Sequence, residues 1–271
     1  MPELPEVETT LRGIRPYLLS QTVSHLQVRE RRLRWPVEDG LEKILENQRI
    51  LDVTRRAKYL LIACENGTLI VHLGMSGSLR LVEAHLPCGK HEHIDLVLSN
   101  GRCLRYRDPR RFGAWLWTTT SPCKHVLLAK LGPEPLTHAF SSHYLFNVSR
   151  RRKQSIKTFV MDSHIVVGIG NIYANESLFI AGILPLREAG SLTKNESARL
   201  VCVLRDVLTC AIQRGGTTLR DFVGVEGALG YFAQELQVYG RGGLPCTRCQ
   251  GRLLEAKLGQ RSTVWCPQCQ I

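Results

Sequence analysis

Apolar residues recur at steps of three and four from the start of the chain. Leu4, Val7, Leu11, Ile14 and Leu18 make one stripe of an amphipathic helix. From about residue 21 the period shortens. Runs rich in β-branched and aromatic residues at 22–28, 50–53, 59–63, 68–73, 94–98, 102–106 and 114–117 predict short strands, with a further helix near 38–47. Asn66-Gly67 and Asn100-Gly101 lie between such runs, and Asn-Gly is the pair preferred in type I′ hairpin turns. Antiparallel strands joined by hairpins imply a sandwich or a barrel. Leu131-Gly132-Pro133-Glu134-Pro135 ends this regime, and the segments 141–146, 154–161, 171–181 and 194–214 read as helices. The last carries Leu200, Val203, Leu204, Val207, Leu208, Ala211 and Ile212 on one stripe and stops at Gly215-Gly216, a C-terminal cap. A Gly-spaced stretch from Thr217 to Gly230 follows, of the length and composition common in functional loops. The predicted fold class is α+β: an N-terminal antiparallel β-sandwich with flanking helices, then a helical part that ends in a cysteine-rich ribbon beginning near Gln237.

Composition narrows the function. Apolar residues make up 44% and charged residues 22% of 271, which is globular composition and excludes a disordered or collagen-like chain. A net charge of +12 favours a polyanionic partner, nucleic acid or an anionic membrane surface. The excess is not confined to an arm: residues 1–135 hold 20 basic and 15 acidic groups, the remainder 16 and 9. No apolar run approaches the ~20 residues of a membrane-spanning helix. The first residues, Met1-Pro2-Glu3-Leu4-Pro5-Glu6, are acidic where a signal peptide would be basic. Six of the ten cysteines are scattered singly and four are paired near the end, as in a chain of a reducing compartment with one metal site, so a cytoplasmic location is expected.

Those four give the strongest local signal. Cys246-x2-Cys249 and Cys266-x2-Cys269 can supply four thiolates in a tetrahedron around Zn²⁺, and an all-cysteine shell leaves no open position, so the zinc is structural. The segments between, 252–255 and 262–265, read as a two-stranded ribbon with Gln260-Arg261 at its hairpin. At the other end of the chain, removal of Met1 gives Pro2 a free secondary amine. α-Amino groups titrate near ~7.7–8.0, and a secondary amine adding to a sugar aldehyde carbon gives an iminium ion, an electron sink. Stepping along the helix puts Glu3 at the margin of the apolar stripe and Glu6 just outside it. By position alone Pro2 also fits an ordinary Met-Pro start, Glu3 and Glu6 fit plain first-turn acids, and Lys58 and Arg261 fit surface charges.

In order along the chain, Met1-Pro-Glu-Leu-Pro-Glu-Val-Glu-Thr9, Arg55-Arg-Ala-Lys58-Tyr-Leu-Leu, His72-Leu-Gly-Met75-Ser-Gly, Asp108-Pro-Arg110-Arg-Phe112-Gly, Val167-Gly-Ile-Gly-Asn171-Ile-Tyr, Tyr231-Phe-Ala-Gln-Glu-Leu-Gln-Val-Tyr-Gly240 and the closing four-cysteine ribbon resemble the bacterial formamidopyrimidine-DNA glycosylases. The sister branch, of the endonuclease VIII type, opens Pro-Glu-Gly-Pro-Glu, so Leu4 points to the first branch. The resemblance implies a bifunctional enzyme that excises oxidised purines such as 8-oxoguanine and formamidopyrimidines from double-stranded DNA and cuts the strand at the abasic site by β,δ-elimination. It implies Pro2 as the nucleophile at C1′, Glu3 as acid/base at the sugar, and Lys58, expected on a strand, as proton donor in β-elimination. Arg261 is its counterpart in δ-elimination, held in place by the zinc. Glu6, Thr217 and Tyr239 are implied near the lesion, the segment from Thr217 to Gly230 being the loop that closes over it. Met75, Arg110 and Phe112 would wedge into the stack that the flipped base leaves, and His72, His91, Arg152 and Asn171 would contact DNA, Asn171 from a helix-two-turn-helix. Arg152 stands where the family pattern has lysine and keeps the charge. The expected domains are 1–133 (β-sandwich, catalytic), 134–236 (helix-two-turn-helix) and 237–271 (zinc ribbon), in a monomer. An oxidised-pyrimidine glycosylase and a non-catalytic binder of damaged DNA are the alternative readings.

Overall fold

The computed structural model describes residues 2–216 and 236–271. The chain divides into two compact units, Met1–Ala129 with Arg214–Ala233 and Lys130–Gln213 with Gln234–Ile271.

The first unit opens with α1 (Leu4–Leu18), whose buried face is the predicted stripe. Strands β1 (Val23–Val28), β2 (Ile50–Arg56), β3 (Tyr59–Cys64), β4 (Gly67–His72), β5 (Ser78–Glu83), β6 (Glu92–Leu98), β7 (Arg102–Arg107) and β8 (Ala114–Thr118) follow, with the short α2 (Leu41–Leu45) between β1 and β2. They form two four-stranded sheets ordered β1-β6-β7-β5 and β2-β3-β4-β8, in which neighbouring strands pair antiparallel. Val7, Leu11, Ile14 and Leu18 of α1 share one buried apolar cluster with residues of both sheets, among them Leu60, Val71, Leu96, Leu104, Tyr106 and Trp115. The sandwich matches expectation, with one strand beyond those predicted, β5. In β5 Leu79 is buried but Leu81 and Val82 are only half-buried, so its alternation is blurred.

The two Asn-Gly pairs behave differently from the prediction. Cys64 pairs with Gly67, so Glu65 and Asn66 make that turn and Gly67 is already in the strand. A Cβ at Gly67 would come within 2.5 Å of Thr118 O and of the Trp117 ring, so this glycine serves the close approach of β8. At the other pair, Gly101 N–H donates to Leu98 O at 3.1 Å with Gly101 at φ +81°, a turn that ends in a left-handed glycine.

The second unit holds α3 (Ser142–Ser149), α4 (Ile156–Val160), α5 (Asn171–Ile180) and α6 (Lys194–Gln213), then the ribbon strands β9 (Leu254–Leu258) and β10 (Arg261–Trp265). Ser141 and Ser155 cap α3 and α4 by accepting from Tyr144 N–H and Thr158 N–H. Helix α6 buries Leu200, Leu204, Val207, Leu208 and Ala211 as predicted, with Val201 in place of Val203. It ends at Gly215 and Gly216, both at positive φ. Among the described residues no helix is long and apolar enough to cross a membrane.

Candidate functional site

Pro2 is buried and leads directly into the cap of α1. Glu3 is the N-cap residue, 3% exposed. Its side chain accepts from Glu6 N–H, while Glu6 Oε2 accepts from Glu3 N–H at 2.8 Å, a reciprocal capping box. Glu6 is therefore fully buried (0% exposed) rather than just outside the apolar stripe, because its carboxylate turns back over the helix end. Gly216, at φ +80°, lies beside it: a Cβ there would be 3.1 Å from Glu6 Oε1. Thr217 and the rest of the stretch to Gly230 lie outside the described residues, so the position expected for lesion recognition there has no structural account.

Lys58 is not on a strand. Arg56 pairs with Tyr59, leaving Ala57 and Lys58 as the turn between β2 and β3, with Ala57 in the left-handed region at φ +55°. Two contacts hold that turn to the start of the chain. Glu8 Oε2 accepts from Arg55 Nε at 2.9 Å, and Arg55 Nη1 donates to Ala57 O at 2.8 Å. Burial opposes ionisation of Glu8, but Arg55 and Arg12 prevail and hold its carboxyl below the ordinary value. Glu8 and Arg55 are thus supports of Lys58, present in the motifs but with no role that the sequence alone assigns.

His72 ends β4 with its ring 4.7 Å from that of Tyr59, and its Nδ1 accepts from Gly74 N–H at 3.0 Å. That bond fixes the neutral tautomer with the proton on Nε2. Burial, then the charges of Lys58 and Arg34, push the imidazole down to about 4. The folded state thus keeps His72 neutral while the unfolded chain protonates near 6.5, so this contribution to stability is complete above pH 6.5 and is lost as pH falls towards about 4. A ring-proton NMR titration should find the His72 midpoint near 4; a midpoint near 6.5 would show a solvated ring.

Met75 and Phe112 stand at two adjoining loop tips, each 39% exposed. The guanidinium of the exposed Arg110 lies 4.8 Å from the Phe112 ring centroid. The backbones of the tips touch, since a Cβ at Gly74 would fall 2.4 Å from the Phe112 carbonyl carbon. His91, at φ +68°, lies on the neighbouring loop, and its carbonyl accepts from Asp108 N–H at 3.0 Å. Partial burial and the cations Lys90 and Arg107 set its imidazole below the ordinary value. The structure therefore gathers Met75, Arg110, Phe112 and His91 on loops joined through Asp108.

In the second unit the four C-terminal cysteines converge. Their sulfurs all lie within 4.8 Å of one another, with Cys246 to Cys269 at 3.9 Å and Cys249 to Cys266 at 3.4 Å. These spacings are too long for disulfides and close to the ~3.8 Å edge of a sulfur tetrahedron with Zn–S near ~2.3 Å. Cys246 and Cys266 are buried with Phe179, Val238, Leu253 and Val264, which ties the site to α5. The residues fit one structural Zn²⁺ held by four cysteines, and such an ion stiffens the ribbon.

The zinc is not the ribbon's sole anchor. Leu258 pairs with Arg261, so Gly259 and Gln260, both at positive φ, make a tight hairpin with the exposed Arg261 at its exit. The next residue is clamped. Ser262 O accepts from Lys157 Nζ at 2.7 Å and from Asn171 Nδ2 at 3.0 Å, and Thr263 Oγ1 accepts from the same Nζ at 2.7 Å. Val264 N–H donates to Asn175 Oδ1 at 2.9 Å. Lys157, only 1% exposed, thus spends its charge on the hairpin, and Asn171, expected to face DNA, also joins α5 to it. A cavity of about 210 Å³ beside the hairpin is lined by Lys157, Asp162, Gly259 and Arg261, among others. The half-buried Tyr239 donates its N–H to Glu176 Oε1 at 2.8 Å, and the same carboxylate accepts from Gln237 and Val238 N–H, which pins the lead-in to the ribbon. Burial raises the Glu176 carboxyl although those three bonds oppose it. Arg152 is exposed on the loop after α3. Lys157, Asn175 and Glu176 have no signal in the sequence, where each reads as an ordinary helical residue.

Comparison with known proteins places this arrangement. Three family models match: the formamidopyrimidine-DNA glycosylase N-terminal domain over residues 1–115, the formamidopyrimidine-DNA glycosylase H2TH domain over 131–223, and the zinc finger found in FPG and IleRS over 243–271. The formamidopyrimidine-DNA glycosylase of Pseudomonas putida (strain W619) is 59% identical over 270 residues, covering 100% of both chains. The crystal structure of the MutM (Fpg) protein of Thermus thermophilus superposes with a TM-score of 0.88 at 39% identity, covering 99% of this chain and 98% of that one. A Lactococcus lactis Fpg variant in complex with Fapy-dG-containing DNA gives a TM-score of 0.92 at 32% identity, covering 99% of each chain.

Proposed function

The chain belongs to the formamidopyrimidine-DNA glycosylase family, and on that footing we propose that it removes oxidised purines, 8-oxoguanine and formamidopyrimidines, from duplex DNA and then cuts the strand at the abasic site by β,δ-elimination. Pro2, freed of Met1, adds its amine to C1′ while the bond from C1′ to the damaged base breaks and a proton goes to the departing base. Glu3 gives a proton to O4′ as the C1′–O4′ bond breaks, which opens the sugar and leaves an iminium between C1′ and the Pro2 nitrogen. Loss of a C2′ proton then expels the 3′ phosphate, with Lys58 as the proton-transfer group, and a second elimination at Arg261 expels the 5′ phosphate. Glu6 and Tyr239, together with Thr217, serve lesion recognition. Met75, Arg110 and Phe112 fill the vacated stack, and His72, His91, Arg152 and Asn171 face the backbone, which the net charge of +12 attracts. The working division is 1–133, 134–236 and 237–271, in a monomer of the bacterial cytoplasm associated with the nucleoid.

The observation that carries this reading is the first turn of α1, where a buried proline is followed at once by a buried carboxylate fixed by its own capping box. Adjacent positions in one fixed turn support a pairing of nucleophilic amine with proton-transfer group. The test is a panel of duplexes carrying 8-oxoguanine, a formamidopyrimidine, thymine glycol or an abasic site. Release of the oxidised purines in preference to thymine glycol, with phosphate on both new strand ends, supports the proposal. Binding to all four without scission would replace the enzyme with a binder of damaged DNA.

A further inference from the structure

Asp108 is fully buried (0% exposed) in a loop whose neighbours face outward. Its carboxylate meets four donors. Oδ1 accepts from Ser76 Oγ at 2.8 Å and Arg110 N–H at 3.3 Å, and Oδ2 accepts from Tyr106 OH and Gly113 N–H, both at 2.9 Å. Ser76 Oγ in turn accepts from Arg110 N–H at 3.2 Å. The backbone of Asp108 extends the junction: its N–H donates to His91 O, and its carbonyl receives Arg111 N–H at 3.2 Å and contacts His93 Nε2 at 2.9 Å. One carboxylate therefore joins the turn that carries Met75 to the loop that carries Arg110 and Phe112. The glycines around it leave no slack: a Cβ at Gly113 would fall 1.8 Å from Tyr106 OH, and one at Gly77 would fall 2.1 Å from Leu73 O.

We propose that Asp108 is the positioning residue of the wedge, locking the Met75 tip and the Arg110–Phe112 tip into one rigid body that enters the stack as a unit. This rests on reading Met75, Arg110 and Phe112 as the wedge. A loose side chain entering a base stack would have to be ordered at that moment, at an entropic cost. Tips already fixed by these four bonds, three of them buried, are ordered beforehand. An asparagine at 108 keeps the shape but not the lock. Serine and tyrosine hydroxyls can turn and accept from its amide nitrogen, whereas the N–H of Arg110 or Gly113 has no such freedom and would face a second donor. The Arg110–Phe112 tip would lose one of its two backbone bonds to residue 108 while the core remained.

The test compares excision from a duplex with 8-oxoguanine opposite cytosine with strand cleavage of the same duplex carrying a preformed abasic site, for which no base has to be unstacked. Asp108→Asn should slow excision by about tenfold or more while cleavage at the abasic site stays within about threefold. Ser76→Ala removes the carboxylate's bond to the Met75 turn and leaves its two backbone bonds to the Arg110–Phe112 loop, so it should show the same split, and it carries the test if Asp108→Asn fails to fold. Equal losses in the two assays, or none, would overturn the proposal. Met75→Ala and Phe112→Ala run alongside. If they split the two assays and the Asp108 and Ser76 variants do not, the positioning role alone is wrong; if they do not split them either, the wedge reading fails and takes this proposal with it.

Discussion

Replacing Glu3 with glutamine should cut base excision by about two to four orders of magnitude, the range expected for loss of a positioned proton-transfer group. The substitution is close to isosteric. A glutamine oxygen still accepts the Glu6 N–H that closes the capping box, so α1 and its N-terminal turn should persist, with thermal stability within about 1 kcal/mol of the parent. What is lost, on the proposed mechanism, is the ability to take up and release a proton beside the sugar. Cleavage of a preformed abasic site should suffer less, because there the base has gone and the proposed mechanism gives the proton transfer of the elimination to Lys58. Single-turnover rates on the two duplexes test this; equal losses on both would show that the residue acts by holding the turn, and unchanged excision would remove Glu3 from the chemistry.

The second large effect is expected at the zinc. Cys249→Ser removes one of four converging thiolates and should leave the protein without stoichiometric metal, read by elemental analysis. The ribbon would not simply unfold. Lys157, Asn171 and Asn175 still hold residues 262–264 from the helical side, and the apolar contacts of Val264 with Phe179 and Leu253 persist. The loss should be one of placement. Arg261 lies at the hairpin exit, between the clamp at Ser262 and the turn at Gly259-Gln260, and a displacement on the order of 1 Å can cost about a hundredfold. Cleavage of abasic DNA and affinity for duplex DNA should both fall, cleavage by about that factor. Full activity in a metal-free protein would break the link from zinc to Arg261.

The parts of this molecule that are legible from sequence are those governed by short periods. The stripe Leu4-Val7-Leu11-Ile14-Leu18 predicts α1 because one helix face has to be buried, and the paired Cys-x2-Cys motifs predict the metal site because the tetrahedron sets their spacing. Lys58 reads as a strand residue for a matching reason. The run from Arg55 to Leu61 holds no glycine, asparagine or proline, and the turn is made by Ala57 at φ +55°, a conformation that alanine's propensity does not announce. Asn66-Gly67 misleads in the opposite direction, its glycine answering to the packing of β8 and not to the turn. Glu6 escapes because helical stepping places its Cβ and says nothing of a side chain folded back on the cap. The supports of the site are the least visible. Lys157 bonds to Ser262 and Thr263 across more than a hundred residues, and Asp108 joins loops more than thirty residues apart. No local pattern carries such pairings.

The proposed chemistry turns on the amine of Pro2, and borohydride reduction in the presence of an 8-oxoguanine:cytosine duplex tests it most directly, because reduction fixes the iminium as a stable amine. With Met1 confirmed absent and zinc bound, a covalent protein–DNA adduct should form and map to Pro2. An adduct at a lysine, or none at all, would contradict the assignment.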